Sequence, residues 1–283
     1  MQLNSYINDF IDLAFREDIG DGDHTSLSII PAATTGKAQL LVKQEGVLSG
    51  SFVAEKIFKK LDRDINIEFY IADGSPIAPG DIAFTVKGKV LALLQAERLV
   101  LNVMQRMSGI ATQTSKYVSE LKGLKTKVLD TRKTTPCMRL LDKMAVKHGG
   151  GENHRIGLFD MVLIKDNHID FAGGIENAIK SARNYLAEKN LNLKIEVEAR
   201  SIKDIESIMK VGGIQRIMLD NFSIEKTREA IAIINGKYET ESSGGITIGN
   251  LRQYAECGVD YISVGALTHQ IKSLDLSLKA IDY

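Results

Sequence analysis

The second part of the chain alternates short apolar runs with helical patterns, and this alternation constrains the fold more than any other feature. Apolar, β-branched runs predict strands, and the segments between them have helical spacing. The predicted strands lie at 126–130, 161–164, 193–197, 216–219, 238–241 and 259–264, and the predicted helices at 137–147, 174–189, 202–211, 224–235 and 248–257. Strands that alternate with helices pair in parallel, so about six such units favour a closed or nearly closed β/α barrel. An open doubly wound sheet is the alternative.

The chain before residue 125 follows a different pattern. Short alternating runs between 36 and 89, separated by turn signals, predict several strands with one helix near 51–61. A long helix is predicted at 91–121, with a break near Ser108-Gly109. We therefore predict a first domain over residues 1–108 and a second over 109–270. A final predicted helix at 271–283 covers one of the two.

The charge balance limits the classes of partner. Lys plus Arg and Asp plus Glu each number 36, so the formal net charge is zero, which argues against binding to nucleic acid or a membrane surface. No apolar run reaches the roughly 18 residues of a membrane-spanning helix. The first 30 residues hold six acids and only Arg16 as a base, unlike a signal peptide. Cys137 and Cys257 lie far apart in the sequence, so no disulfide framework is expected. Two isolated cysteines favour a reducing compartment, and we expect a cytoplasmic location.

Each predicted strand of the second domain ends in residues that can do chemistry. Because the carboxyl ends of parallel strands emerge on one face, we expect these residues to meet at one mouth, where barrels build active sites. The strand ends read Asp130-Thr131-Arg132-Lys133, Lys165-Asp166-Asn167-His168, Glu196-Val197-Glu198, Asp220-Asn221, Glu241-Ser242-Ser243-Gly244-Gly245 and Gly265-Ala266.

One stretch of this neutral chain is basic. Residues 125–168 hold nine Lys or Arg against five Asp or Glu, with three of the five histidines. Guanidinium groups bind carboxylate or phosphate with two hydrogen bonds, and Lys supplies a movable charge. A cationic pocket for a small anion is therefore predicted, and a basic exposed face is the alternative. Its residues are Arg132, Lys133, His154, Arg155 and Lys165.

The last strand ends also indicate which groups would be bound. Residues 242–247 open a predicted helix and Gly265 follows the next strand, and glycines before helices let backbone N–H groups approach a phosphate. Glu198 and Asp220 are placed to face the centre of the mouth. Their oxygens suit Mg²⁺ held with substrate phosphates, or ribose hydroxyls, and they could also pair with the pocket lysines.

Eight strings of the chain, in order over nearly its whole length, carry a resemblance to a known family. They are EDIGDGDHTS at 17–26, LLQAERLVLNVMQRMSGIAT at 93–112, DTRKTTP at 130–136, HGGGENHRIGLFDMVLIKDNHI at 148–169, IEVE at 195–198, LDNF at 219–222, ESSGGI at 241–246 and VGALTH at 264–269. Together they resemble the quinolinate phosphoribosyltransferase family, also called nicotinate-nucleotide pyrophosphorylase (carboxylating). One departure is Cys137, where glycine is expected after the proline.

The resemblance implies an N-terminal α/β sandwich and an incomplete α/β barrel. It also implies a homodimer whose active site is completed by the partner's first domain. The implied reaction joins quinolinate, a pyridine-2,3-dicarboxylate, to phosphoribosyl pyrophosphate, giving nicotinate mononucleotide, pyrophosphate and CO₂. Magnesium is the expected metal, and no organic cofactor is expected.

The resemblance also implies a role for each matching residue. Arg98 would come from the partner subunit, and Arg132, His154, Arg155 and Lys165 would bind the quinolinate carboxylates. Lys133 would serve the pyrophosphate, with Glu198 and Asp220 holding ribose hydroxyls and Mg²⁺. The 5′-phosphate would contact Ser243, Gly244, Gly265 and His269. The expected catalytic set is Lys133, Lys165, Glu198 and Asp220.

Two other hypotheses stay open at the level of sequence. A lyase could use Lys133 or Lys165 as a Schiff-base nucleophile, since a lysine in a cationic pocket can have a lowered pKa. A relative with altered specificity, or without catalysis, could bind another pyridine carboxylate.

Overall fold

The computed structural model describes residues 3–281, with side chains from residue 5. Its helices are α1 Leu3–Ile19, α2 His24–Ile29, α3 Ser51–Leu61, α4 Val90–Glu120, α5 Arg139–His148, α6 Asp166–Phe171, α7 Ile175–Glu188, α8 Ile202–Val211, α9 Ile224–Ile234, α10 Leu251–Ala255 and α11 Ala266–His269. Its strands are β1 Thr35–Val42, β2 Gly46–Val47, β3 Asn66–Phe69, β4 Pro76–Ile77, β5 Ile82–Lys89, β6 Lys127–Leu129, β7 Val162–Ile164, β8 Ile195–Ala199, β9 Arg216–Asp220, β10 Glu239–Ser243, β11 Tyr261–Ser263 and β12 Leu276–Ile281. None of these helices is long and apolar enough to cross a bilayer.

The chain forms two compact units, and the first combines residues up to 115 with 134–150 and the segment from 268. Its antiparallel sheet has the order β12-β1-β5-β3. Alternate residues of β1, including Leu40 and Val42, are buried, as the period of a half-buried strand requires. Phe58 of α3 and Phe84 of β5 meet edge to face in this core, with ring centroids 6.2 Å apart.

The predicted helix at 271–283 is wrong over the residues described. Residues 276–281 form β12, which pairs antiparallel with β1 and sets Leu278 opposite Leu40. Leu274, Leu276 and Leu278 are all buried, and this spacing of two is the strand period rather than the helix period. The last two residues of the predicted helix, 282 and 283, lie outside the described residues.

The predicted break near Ser108-Gly109 is also wrong, because α4 runs without interruption through both residues. Ser108 is fully buried and donates a hydrogen bond to the Ser49 carbonyl. A Cβ at Gly109 would collide with the Lys272 carbonyl oxygen. The glycine therefore allows a close approach of two backbone segments and does not end the helix.

The second unit comprises residues 116–133 and 151–267. All six predicted strands are present in one parallel sheet of order β6-β11-β10-β9-β8-β7. Strands β7 to β11 follow chain order and the first strand pairs with the last, so the sheet curls into a barrel with one open seam. This order excludes the doubly wound alternative, in which strand order reverses within the sheet. The predicted division of the chain at 108/109 stays a prediction.

Cys137 takes the backbone conformation that glycine favours. Its φ is +60°, in the left-handed region, and its carbonyl accepts a hydrogen bond from the Tyr6 hydroxyl at 2.8 Å. The side chain is exposed and the thiol is free. Cysteine at this position therefore adopts the left-handed backbone conformation that the turn requires, and this conformation has a steric cost for a residue with a Cβ.

Candidate active site

A cavity of about 570 Å³ lies at the carboxyl ends of the barrel strands. Eight of the twelve predicted site residues line it: Arg132, Lys133, His154, Arg155, Lys165, Asp220, Ser243 and Gly244. Leu163, Met218 and Ser263 are also among its lining residues, and they supply apolar surface and a hydroxyl between the charged groups. The strand ends therefore bring cations, a carboxylate and a glycine loop to one place.

Two guanidinium groups face the cavity. Arg155 donates from Nη1 to the Met161 carbonyl at 3.1 Å. Burial, and next the charge of Arg132, lower the pKa of Arg155. Among the described residues, no carboxylate forms an ion pair with Arg132. Two neighbouring guanidinium groups that repel each other form a site for an anion, because a carboxylate between them would remove the repulsion.

The opposite charge lies on the ends of β8 and β9. Lys165 Nζ is 3.5 Å from Glu198 Oε2, and the Glu198 side chain is almost fully buried. Burial raises the pKa of Glu198, Lys165 offsets part of that rise, and the nearby Asp220 charge adds to it. Asp220 lines the cavity and Glu198 lies beside it, and carboxylates are hard oxygen donors, so these residues fit a magnesium ion shared with a phosphorylated substrate.

A glycine loop closes another side of the cavity. Gly244 has a φ of +93°, and a Cβ there would collide with the side-chain amide of Asn221. Asn221 is itself fixed by its N–H, which donates to the Ser243 carbonyl at 2.8 Å, and by its amide, which donates to Asp220 at 2.7 Å. Only glycine fits this position, so backbone N–H groups can approach a phosphate closely.

The helix expected to begin at this loop is shorter than predicted. The predicted helix at 248–257 is observed only as α10, Leu251–Ala255, because Thr247 N–H donates to Asn250 Oδ1 at 2.7 Å and forms a turn first. Any phosphate site at Gly244 therefore depends on loop N–H groups rather than on a helix dipole. After β11, in contrast, α11 begins directly after Gly265.

Four predicted residues are not among the cavity lining. Glu198 reaches it through the ion pair with Lys165. Gly265 directly precedes α11, and His269 is the last residue of that helix and is exposed. Arg98 lies on α4 in the first unit and contacts Glu97 at 2.9 Å, with 65% of its side chain exposed.

His154 is held differently from the other predicted ligands. Its Nε2 lies 3.0 Å from Glu196 Oε2 and 3.4 Å from Glu241 Oε2, two carboxylates that are fully buried. Arg216 completes the group, with Nη1 2.9 Å from the same Glu241 oxygen. We call Glu196, Glu241, Arg216 and His154 the buried charged cluster.

Several effects set the pKa of His154. Burial alone would lower it, but the hydrogen bonds and charges of Glu196 and Glu241 raise the pKa of His154 to about 9. The Arg155 backbone N–H donates to Nδ1 at 2.7 Å, which opposes protonation there. One backbone hydrogen bond is weaker than two buried carboxylates, so the rise prevails. Burial and the charge of Glu241 also raise the pKa of Glu196.

The sequence placed Glu196 and Glu241 among the strand ends without a specific role, and it gave no role to Arg216. Each lies two residues before another inward residue of its strand: Glu196 before Glu198, Arg216 before Met218 and Glu241 before Ser243. Side chains two apart share a face of a strand. Applying that period to the strand ends would have placed these charges inside the barrel, where Glu241 also lines the cavity.

Comparisons with known proteins agree with this architecture. The model of the quinolinate phosphoribosyl transferase N-terminal domain matches residues 23–108, and that of the C-terminal domain matches 110–279. The chain belongs to the quinolinate phosphoribosyl transferase family. It is 44% identical to the chloroplastic nicotinate-nucleotide pyrophosphorylase [carboxylating] of Oryza sativa, over 95% of this chain and 76% of that one. A probable nicotinate-nucleotide pyrophosphorylase of Bacillus subtilis is 41% identical, over 98% and 93%.

Solved structures of the family share the fold. The nicotinate-nucleotide pyrophosphorylase from Francisella tularensis superposes with a TM-score of 0.92 at 38% identity, covering 99% of this chain and 98% of that one. Membership of this family does not favour the Schiff-base lyase hypothesis.

Proposed function

We propose that this chain transfers the phosphoribosyl group of phosphoribosyl pyrophosphate to quinolinate and releases CO₂, a pentosyltransferase reaction that yields nicotinate mononucleotide for NAD biosynthesis. The observation that carries the proposal is the pair Arg132 and Arg155 on one wall of a cavity whose other walls hold carboxylates and a glycine loop. A dianionic ring and a polyanionic sugar repel each other. Cations must offset that repulsion before the two can react.

The charges around the cavity match the charges of the reaction. The pyridine nitrogen attacks the anomeric carbon, a C–N bond forms, and the C–O bond to pyrophosphate breaks with its electron pair leaving on pyrophosphate. Positive charge builds on the ribose in such glycosyl transfers, so Glu198 and Asp220 would stabilise it and hold the ribose hydroxyls. Lys133 would face the leaving pyrophosphate.

Decarboxylation then uses the product of the first step. The ring nitrogen of the nucleotide is positively charged, so it accepts electron density when the adjacent C2–carboxylate bond breaks. CO₂ leaves, and the electron pair remaining on C2 takes a proton. Arg132, Arg155, Lys165 and His154 are proposed around the two carboxylates, and the cation nearest the departing carboxylate must release it.

Magnesium forms part of the proposal. Glu198 and Asp220 would hold it together with the pyrophosphate, and when bound it would offset the charge of that leaving group. Ser243, Gly244, Gly265 and His269 are proposed to contact the 5′-phosphate. No organic cofactor is proposed.

A homodimer is proposed in which Arg98 of a second copy enters the cavity, and its exposed position on α4 supports this. Mixing Arg98→Ala with Arg132→Ala protein tests the arrangement. In a shared-site dimer, half of the dimers would be mixed and each would hold one intact site, so about a quarter of wild-type activity should return. No recovery after subunit exchange would contradict it.

A cytoplasmic location is also proposed, because both cysteines are free thiols, which suits a reducing compartment. Cell fractionation tests it.

The reaction itself is tested by incubation with quinolinate, phosphoribosyl pyrophosphate and Mg²⁺. We expect CO₂ and nicotinate mononucleotide in equal amounts. Absence of both products at high protein concentration would overturn the proposal.

A further inference from the structure

The segment that follows α11 lies along α4, and α4 holds it through its backbone. Gln105 Nε2 donates to the Leu276 carbonyl at 2.9 Å, and the Gln105 carbonyl accepts from the Leu274 N–H at 2.9 Å. Gly109 allows the Lys272 carbonyl to lie directly against the helix. All these residues belong to the first unit. The backbone that leaves α11 is therefore fixed by side chains and by close packing on α4.

Arg106 of α4 and Asp142 of α5 form a bidentate ion pair in the same unit. Nε donates to Oδ1 and Nη2 donates to Oδ2, each at 2.9 Å. The Asp142 side chain is fully buried, and that of Arg106 is 18% exposed. Burial raises the pKa of Asp142, and the hydrogen bonds and charge of Arg106 offset part of that rise. Apolar side chains in place of such a pair are often equally stable, so stability alone does not explain it.

Arg106 also contacts the end of α11. Its Nη2 donates to the Thr268 carbonyl at 3.2 Å, and the peptide unit that holds this carbonyl leads directly into His269. Thr268 is buried, whereas His269 is exposed and is proposed to contact the 5′-phosphate. A guanidinium group has a rigid fork geometry. Because Asp142 fixes the orientation of that fork, the peptide unit before His269 is held in one place.

Asp142 contacts the segment that follows Lys133. Its Oδ2 accepts from the Thr135 N–H at 3.4 Å, and the Thr135 carbonyl accepts from the Met138 N–H at 3.1 Å, so this turn is closed against the start of α5. Lys133 lies two residues before Thr135 and is proposed to face the leaving pyrophosphate. One ion pair therefore contacts the segments that carry both of these proposed phosphate contacts.

We propose that Arg106 and Asp142 are positioning residues for phosphoribosyl pyrophosphate: their ion pair sets the separation between Lys133 and His269. This substrate carries a 5′-phosphate at one end of its ribose and a pyrophosphate at the anomeric carbon, so its two charged ends are a fixed distance apart. Groups that bind both ends contribute fully only when their own separation matches that distance. The inference rests on the proposed function. Neither residue is among the cavity-lining residues that the structure describes, so both act through the backbone.

The proposal separates the two substrates. His154, Arg155 and Lys165 are proposed to bind quinolinate, and the contacts of the ion pair described above do not include their segments. Loss of the pair should therefore weaken binding of phosphoribosyl pyrophosphate much more than binding of quinolinate. A general loss of folded protein would instead lower the apparent kcat and leave both KM values unchanged.

The test is a steady-state comparison of Arg106→Met with the matched control Gln105→Met. Both changes replace a half-buried side chain of α4 that donates to a carbonyl of the segment after α11, but Gln105 contacts Leu276, far from His269. We expect Arg106→Met to raise KM for phosphoribosyl pyrophosphate about tenfold while KM for quinolinate changes less than about threefold. Gln105→Met should leave both KM values within about twofold of wild type.

A second variant separates positioning from stability. Arg106→Met leaves Asp142 buried without its arginine, which is strongly destabilising, whereas Arg106→Met/Asp142→Val removes both charges. We expect this double variant to unfold at a denaturant concentration near that of wild type and to keep the raised KM for phosphoribosyl pyrophosphate. A wild-type KM in the folded double variant would overturn the proposal, as would an unchanged KM in Arg106→Met. A wild-type protein that does not convert the two substrates would contradict the proposed function and, with it, this inference.

Discussion

The carboxyl and amino ends of the barrel strands both carry charged side chains, yet the two ends use them differently. At the amino ends a second cavity of about 460 Å³ is lined by Lys194, Glu239 and Asp260, among others. Lys194 Nζ lies 3.4 Å from Glu239, and Asp260 accepts from Thr240 N–H at 2.8 Å. Lys194 and Glu239 therefore neutralise each other there.

The carboxyl ends lack this balance on one wall. Arg132 and Arg155 face the cavity together, and Arg132 has no ion-pair partner among the described residues. Cavity size does not separate the two ends. What separates them is the pair of neighbouring guanidinium groups at the carboxyl ends, and two cations that repel each other beside a cavity indicate a site for an anionic ligand.

The largest expected effect comes from removing one unpaired cation. Arg132→Ala should leave a substrate carboxylate without its partner. The free energy of transition-state binding should weaken by roughly 2 to 5 kcal/mol, and kcat/KM should fall accordingly. Steady-state kinetics with both substrates measures this. The matched change at the amino ends is Lys194→Ala, which should alter kcat/KM less than about twofold because that pair is exposed. Similar losses in both variants would break the distinction between the two ends.

Between the two ends, the buried charged cluster predicts a pH dependence. The pKa of His154 rises to about 9 in the folded protein, against about 6.5 when unfolded. A raised basic pKa stabilises the fold fully below about pH 6.5, and this stabilisation, about 3 kcal/mol at most, is lost as pH rises through about 9. Proton NMR of the His154 ring should show the high midpoint.

The same titration in Glu241→Gln should give a lower midpoint, because one of the two carboxylates that raise it is gone. A midpoint near 6.5 in both proteins would show that the cluster does not hold His154 in its charged form.

Glycine substitutions compare the backbone at the two ends. Gly244→Ala should force Asn221 away and raise KM for phosphoribosyl pyrophosphate about tenfold, or roughly 1.4 kcal/mol. The control is Gly236→Ala at the amino ends. Gly236 also has a positive φ, +70°, but a Cβ added there would have no atom within 4 Å. The substitution should cost about 1 kcal/mol of unfolding free energy and leave KM unchanged. An unchanged KM in Gly244→Ala would remove the loop from the phosphate site.

The smallest expected effect is on the free energy of unfolding, and it comes from Cys137 in the first unit. Cys137→Gly should raise the free energy of unfolding by about 0.5 to 1 kcal/mol, because it relieves a left-handed conformation at +60°. Denaturant unfolding measures this, and Cys137→Ala, which keeps the conformational cost, is the control. Equal stability of the two variants would show that the left-handed conformation at residue 137 does not lower the free energy of unfolding.

The elements of the second unit could be read from sequence because their signals are local. Strand β7, Val162–Ile164, is apolar throughout, and helix 202–211 has clear amphipathic spacing. The strand ends then followed from barrel geometry, which places Arg132, Lys165 and Asp220 together without any contact being known.

The errors came from residues whose neighbours are distant in the chain. Gly109 was predicted to break a helix, but it allows a close approach of the Lys272 carbonyl. Leu276 was predicted to be helical, but it belongs to a strand that pairs with β1. The contacts of His154 with two buried carboxylates also depend on the fold, because Glu196 and Glu241 lie on strands that are distant from it in the chain. Its role in binding quinolinate stays a prediction.

Calorimetric titration of the wild-type protein with quinolinate and with nicotinate tests whether the guanidinium groups at the carboxyl ends recognise a second carboxylate. Quinolinate should bind at least about tenfold more tightly, a difference of about 1.4 kcal/mol, and Arg132→Ala should abolish the preference. Equal affinity for the two ligands in the wild-type protein would contradict it.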